Sequence, residues 1–210
     1  MVLRYILMGD IIKSREYDAT QLRRKFLRLV SSCNETLTDG ILSPYTVTLG
    51  DEFQGVASSL GKAIEAIFHM EETAFLREPR FRIRYVTVYG AIDTPINPTI
   101  AHTMMGSGLA RAREMLTNRG RTPRRFRFHL GDAYLDNQLN RLFSVIDGLS
   151  ERWRAEDARL ILDMLHNTNN RDVGAIHAKN RSQIWKRRNY LLIEEYRAVK
   201  ETIVEMAQQK

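Results

Sequence analysis

The chain has 210 residues, of which 43% are hydrophobic, and a formal net charge of +7. This length suffices for one large or two small domains with a real hydrophobic core. No apolar stretch approaches the roughly 20 residues of a membrane-spanning helix, so we expect no membrane partner. The positive charge favours phosphate-bearing partners, either nucleic acids or nucleotides. A single cysteine, Cys33, and a start without a cleavage signal favour a cytoplasmic protein.

Strand and helix patterns alternate from the start of the chain. The apolar run LRYILM ends at Gly9 and Asp10, which predicts a buried strand with a polar site at its carboxyl end. Apolar residues at three- and four-residue spacing predict an amphipathic helix over residues 20–37. The stretch YTVTLGDEFQGVAS then has two alternating arms that meet at Gly50 and Asp51. This pattern predicts a hairpin with an acidic tip.

Further elements follow in the order helix, strand, helix, strand, helix. We predict them at about residues 60–76, 81–92, 108–116, 125–130 and 132–146. The strands and helices together give a βαββαβαβ order followed by a helix, which indicates an α+β fold. A basic run at Arg119, Arg121, Arg124 and Arg125 is a candidate for phosphate contact or simply for exposure to solvent.

Two acidic residues are predicted at strand ends that can be neighbours in one antiparallel sheet. Asp10 leaves the first strand and Asp51 leaves the hairpin. Magnesium prefers oxygen ligands and is usually held by one or two carboxylates together with substrate phosphates. The pair is therefore a candidate Mg²⁺ or Mn²⁺ site for a nucleotide ligand. Ordinary turn chemistry is the alternative, since Asp and Gly are common turn residues.

Three motifs, YILMGDIIKSR, VTLGDEFQG and GSGLARARE, resemble those of the SatD family, whose members pair such a region with a helix-turn-helix. Residues 1–130 also resemble the palm domain of class III nucleotidyl cyclases and GGDEF diguanylate cyclases, with Leu49 replacing one glycine of the hairpin motif. The resemblance implies a ferredoxin-like palm, with a βαββαβ core and an antiparallel sheet, over residues 1–148.

The same resemblance implies roles for individual residues. Asp10 and Asp51 would bind metal, with the backbone carbonyl of Ile11 as a lesser ligand, and Glu52 would lie near the nucleotide ribose. The candidates for phosphate contact are Lys13, Arg111 and Arg113, for which a solvated surface is the alternative. One departure counts against catalysis, because Ala110 stands where class III enzymes carry an asparagine.

Residues 149–210 are predicted to form a small all-α domain. The stretch NRDVGAIHAKNRSQIWKRR resembles a helix-turn-helix, with Asn180 capping the second helix. Residues 171–190 hold six basic side chains and a single acid, which favours contact with DNA. The predicted DNA contacts are Arg171, Lys179, Arg181, Ser182, Gln183, Lys186, Arg187 and Arg188. A plain helical hairpin is the alternative.

A long C-terminal helix completes the predicted domain. Its apolar stripe consists of Leu192, Tyr196, Val199, Ile203 and Met206. The stripe needs a partner, which is either the palm of the same chain or the same helix of a second chain in a homodimer. Two functions follow from the whole sequence: a DNA-binding regulator that senses a nucleotide and a metal, or an active nucleotidyl cyclase or related nucleotidyltransferase.

Overall fold

A five-stranded sheet organises the computed structural model, which describes residues 2–76, 80–118 and 124–208. Its strands are β1 (Val2–Ile11), β2 (Ile41–Val47), β3 (Glu52–Ala57), β4 (Ile83–Ile92) and β5 (Phe126–His129), in the spatial order β2-β3-β1-β4-β5. Only the β4–β5 pair of this sheet is parallel. The prediction of an α+β fold is confirmed, and the sheet predicted to be antiparallel is so except for this one pair.

Eight α-helices lie within the described residues. They are α1 (Ala19–Thr36), α2 (Leu60–Phe75), α3 (Ser107–Thr117), α4 (Ala133–Glu151), α5 (Ala158–His166), α6 (Asn170–Ile176), α7 (Arg181–Tyr190) and α8 (Ile193–Gln208). In this part of the chain no helix is long and apolar enough to cross a membrane.

Both faces of the sheet are covered, which explains why β1 is apolar without alternation. Leu7 of β1 belongs to a core cluster with residues of α1 and α2. Ile6 and Met8 point the other way and join a second cluster with residues of α3. The sheet therefore separates an α1–α2 side from an α3 side, and each strand position is assigned to one of them.

Helix α3 lies unusually close to β4, because glycines meet at the crossing. A Cβ atom added to Gly108 would lie 2.6 Å from the backbone carbonyl carbon of Gly90. A Cβ atom on Gly90 would lie 2.6 Å from Gly108 Cα. The GSG start of α3 is thus a packing requirement that positions the rest of this helix over the sheet.

The C-terminal helix packs back onto helices that cover the sheet. Helix α8 contacts α2 and α4, and its Tyr196 and Ile203 are buried in the same core cluster as Phe68 and Phe143. The apolar stripe of α8 is therefore covered by its own chain, whereas a homodimer stays a prediction. The domain boundary expected between residues 148 and 149 falls inside α4, and the division into two domains also stays a prediction.

Replacing Gly108 by alanine should lower the free energy of unfolding by about 1–3 kcal/mol, because the new methyl group overpacks the α3–β4 crossing. Gly148→Ala is the matched control, since that exposed position in α4 has no atom within 4 Å of an added Cβ. The control should be neutral or more stable by about 0.5–1 kcal/mol, as expected for alanine in a helix. Urea denaturation of the two variants measures both effects, and equal stabilities would contradict the close crossing.

Candidate functional site

Asp10 lies near the end of β1, and the strands on both sides of it, β3 and β4, run antiparallel to β1. It is in register with Glu52 on β3 and with Arg84 on β4. Directly opposite residues of antiparallel strands project to the same face, which here is the face that α3 covers. Arg84 Nη1 donates to Asp10 Oδ2 at 3.2 Å, and the side chains of Arg84 and Asp10 are only 8% and 16% exposed. The central acid of the candidate site is thus held by a nearly buried ion pair.

The hairpin tip places Asp51 beside the end of β1, as the sequence predicts. Gly50 in this turn has a φ of 90°, a left-handed conformation that favours glycine. The backbone N–H of Ile11 donates to the carbonyl oxygen of Asp51 at 2.9 Å. The Asp51 carboxylate accepts a hydrogen bond of 2.6 Å from Ser14 Oγ. The two acids are therefore neighbours through the backbone, but their carboxylates contact different side chains.

Helix α3 contributes one arginine to this site. Arg113 donates to Glu52 Oε2 at 3.3 Å and to Gln54 Oε1 at 3.2 Å. Gln54 is buried and donates in turn to the carbonyl of Ala101 at 2.7 Å. The structure thus brings Arg113 and Glu52 together, with Gln54 fixing the position of the guanidinium from below.

The other cations predicted for nucleotide contact pair with acids other than Glu52. Arg111 pairs with Glu114 one turn along α3 at 2.8 Å, and Lys13 pairs with Glu16 at 3.1 Å. Of the basic run after α3, Arg125 is buried between Glu71 and Asp147 rather than facing phosphate. Arg119 and Arg121 lie outside the described residues.

Three residues of the site were not predicted from the sequence. Ser14 and Gln54 have no signal in the sequence, because each acts through one hydrogen bond to a residue distant in the chain. Arg84 does have a signal, since it is a cation inside the otherwise apolar run IRYVTVYGAI. A charge in a strand buried on both faces needs a partner there, and Asp10 is that partner.

Two arginines of the strands, Arg84 of β4 and Arg127 of β5, lie against the C-terminal end of α3. Arg84 donates to the carbonyl of Leu116, and Arg127 donates to the carbonyls of Met115 and Asn118. Burial lowers the pKa of Arg127 from its ordinary value, with smaller contributions from the positive charges of Arg111 and Arg84. The guanidinium groups of Arg84 and Arg127 thus satisfy the last carbonyls of α3 on this side of the sheet.

A divalent metal fits the donor chemistry in a limited way. The described residues contain no cluster of three or more His, Cys, Asp or Glu side chains suited to hold a metal ion. The chain would then supply at most the carboxylates of Asp10 and Asp51 and the carbonyl of Ile11. These are oxygen donors, as Mg²⁺ and Mn²⁺ prefer, and Mg²⁺ commonly takes its remaining ligands from water and nucleotide phosphates.

The second candidate region is the pair of short helices α6 and α7, joined by residues 177–180. The N–H of Lys179 donates to the carbonyl of Gly174 at 2.9 Å, and a Cβ atom on Gly174 would lie 2.4 Å from the Lys179 oxygen. Val173 and Ile184 are fully buried between the helices. Asn180 begins α7 with a complete capping box. Glycine at residue 174 thus permits a turn tight enough to hold α7 firmly against α6.

Most of the predicted DNA contacts are exposed on this helix pair: Arg171, Lys179, Arg181, Ser182, Gln183 and Lys186. Two are already engaged by neighbours. The side-chain oxygen of Gln183 accepts the Asn180 N–H at 2.9 Å in the capping box. Arg187 pairs with Asp157, and its guanidinium lies 5.1 Å from the centre of the Tyr190 ring.

Arg188 has a different position from the one expected of a DNA contact. It is buried, with 4% of the residue exposed. Its guanidinium donates to Asn170 Oδ1 at 2.9 Å, Met164 O at 2.8 Å, Glu194 Oε1 at 2.9 Å and Asn167 O at 2.7 Å. Arg188 therefore joins the end of α5 to α6 and α8, and we leave it out of any DNA-binding surface.

Comparison with known proteins identifies the family to which the chain belongs. The family model described as SatD matches residues 5–184. The chain belongs to the SatD family. No curated protein matches this SatD-family sequence. A solved structure of a bacterial light-regulated adenylyl cyclase is similar at a TM-score of 0.43 and 13% identity, over 60% of this chain and 75% of that chain. A similarity this weak carries no argument about activity.

Arg84→Gln should lower the free energy of unfolding by about 3 kcal/mol, at the lower end for a broken buried ion pair because Asp10 keeps some exposure. The double variant Asp10→Asn/Arg84→Gln should be more stable than the sum of the single changes predicts, by about 0.5–3 kcal/mol. Arg82→Gln is the control, since Arg82 pairs with Asp147 and Glu151 at a more exposed position. A double-mutant cycle in urea without any coupling would contradict the Asp10–Arg84 pair.

Proposed function

We propose that this SatD-family protein is a DNA-binding regulator. In this proposal α6 and α7 bind duplex DNA, and the end of β1 binds a nucleotide together with Mg²⁺ or Mn²⁺. The observation that carries it is the asymmetry of α7, whose inner face is fixed while its other sides are exposed and carry Arg181 and Lys186 beside the exposed Trp185.

The inner face of α7 holds the helix through Ile184 and Arg188, its two buried residues. Ser182 and Lys186 lie one turn apart on the opposite side and are exposed. An α-helix of this kind fits the major groove of B-DNA. In such docking the first residues of the helix meet base edges, so Arg181 and Ser182 would read bases. Lys179, Lys186 and Arg171 would contact phosphates, which positions the protein without selecting a sequence.

Two predicted contacts have a smaller role in this arrangement. Gln183 can use only its amide nitrogen toward a base while its oxygen stays in the capping box. Arg187 would have to exchange Asp157 for a phosphate. We therefore rank Arg181, Ser182 and Lys186 above Gln183 and Arg187.

Lys186→Ala should weaken binding to all DNA sequences alike and reduce the slope of log K against log salt by about 0.9, the value for one phosphate contact. Arg181→Ala should instead reduce the preference for particular bases, by about 1–3 kcal/mol. Arg154→Ala is the control, because it removes the same charge from an exposed residue that pairs with Glu156. Fluorescence anisotropy with labelled duplexes measures all three, and equal affinity of the Lys186 and Arg154 variants would rule out the α7 surface.

The nucleotide part of the proposal is supported by the neighbouring positions of Asp10 and Asp51 and by the arginine beside them. A metal held by these acids and by the carbonyl of Ile11 would bind the phosphates of a nucleotide. Arg113, now paired with Glu52, could exchange this partner for a phosphate, which would leave Glu52 facing the ribose. Lys13 and Arg111 are exposed cations that would have to leave Glu16 and Glu114 to do the same.

Asp51→Asn should abolish the magnesium-dependent part of nucleotide stabilisation, since it removes one ligand charge but keeps the shape of the turn. At about a hundred times its dissociation constant, a nucleotide adds roughly 2.7 kcal/mol to the parent's stability, which raises the melting temperature visibly. Asp39→Asn, at an exposed acid before β2, is the control and should behave as the parent. The melting temperature of each protein is measured with each nucleoside triphosphate, with and without Mg²⁺. A full magnesium-dependent shift of the melting temperature in the Asp51 variant would refute the shared metal.

An active nucleotidyl cyclase is the second candidate, and the presence of both acids favours it. Chromatography after incubation with nucleoside triphosphates and Mg²⁺ or Mn²⁺ separates the two functions. A cyclic product that disappears with Asp10→Asn would make the protein an enzyme, whereas binding without turnover supports the sensor.

A further inference from the structure

Helix α1 has a strongly basic outer face that neither candidate region uses. Arg23, Arg24, Lys25 and Arg28 lie within six consecutive residues. The three arginines are exposed and Lys25 is partly exposed. None of the four makes an ion pair or a hydrogen bond with any residue that the structure describes, apart from the backbone bonds of the helix. Their charges are therefore directed to solvent.

This charge pattern is unfavourable for the helix itself. Arg24 and Arg28 are four residues apart on one face, where like charges repel. Lys25 and Arg28, three residues apart, form a second pair of like charges on neighbouring helix positions. Several cations of other helices instead pair with an acid three or four residues away: Lys62 with Glu65, Arg111 with Glu114, Arg159 with Asp163 and Arg197 with Glu201. The cations of α1 thus have no acidic partner of this kind on their own helix.

We propose that the outer face of α1 is a second DNA-binding surface, which contacts the phosphate backbone without reading sequence. A polyanion removes both sources of repulsion, and three of the four cations are arginines, which bind phosphate with two parallel hydrogen bonds. The surface deepens the proposed function, because its ligand is also duplex DNA, but it does not depend on α7.

A membrane surface fits this helix less well. Interfacial helices insert a free apolar face between lipids. The apolar face of α1 is already buried in the core through Leu22, Phe26, Leu29, Val30 and Cys33. Leu27 is the large apolar residue of α1 that is exposed, which leaves charge alone to bind lipid headgroups. DNA, which needs charge and no insertion, is the better match.

The test compares the full-length parent with Arg24→Gln/Arg28→Gln in binding to a duplex of arbitrary sequence, across a salt series. Loss of two phosphate contacts should reduce the slope of log K against log salt by about 1.8. The double variant Lys62→Gln/Arg154→Gln is the matched control, because it removes the same charge from cations that are paired with acids. The control should keep the parent's slope. The α1 variant should melt at or above the parent's temperature, since repulsion is relieved.

An unchanged slope in the α1 variant would overturn the proposal, and so would an equal reduction in the control, which would mean that net charge alone matters. A loss of binding to phosphatidylserine vesicles without any change in DNA binding would assign the face to a membrane instead. Comparison with Lys186→Ala separates this proposal from the α7 surface: either variant can reduce DNA binding while the other does not.

Discussion

The register of β1 is the constraint on which the rest of the structure depends. This strand pairs on both sides, and Asp10 is placed opposite Glu52 and Arg84 by the same register that assigns Leu7 to one core and Ile6 to the other. A slip of one residue would exchange the two faces along the whole strand. The hydrophobic core therefore fixes the position of the polar site, and the Asp10–Arg84 pair in turn disfavours any other register.

A second buried guanidinium, that of Arg188, fixes the relative positions of the C-terminal helices. Helix α7 buries one large apolar side chain, Ile184. Packing of this residue alone would fix the position of the helix only weakly. Arg188 adds hydrogen bonds to α6 and α8 and to the end of α5. Because hydrogen bonds from a charged donor are the stronger kind, α7 can have a polar outer face and still keep a defined position.

Local patterns were sufficient to predict the strands, the hairpin and most helices. The hairpin, for example, follows from two alternating arms and a glycine that tolerates a positive φ. Partners distant in the chain were not predictable in the same way. The sequence marks Arg84 as unusual but does not say that Asp10 lies opposite, since that requires the register. Arg188 looks like its neighbours Lys186 and Arg187, and only the phase of α7 against α5, α6 and α8 assigns it to the interior. The stripe of α8 likewise required the packed structure to identify its partner.

The most direct test of the account is amide hydrogen exchange of the full-length protein with and without duplex DNA. The account predicts slower exchange on DNA binding in the turn at residues 177–180, in the first turns of α7 and over residues 23–28 of α1, with the sheet unchanged. Slower exchange confined to the sheet edge around Asp10, or no change at any site under conditions where DNA is bound, would contradict it.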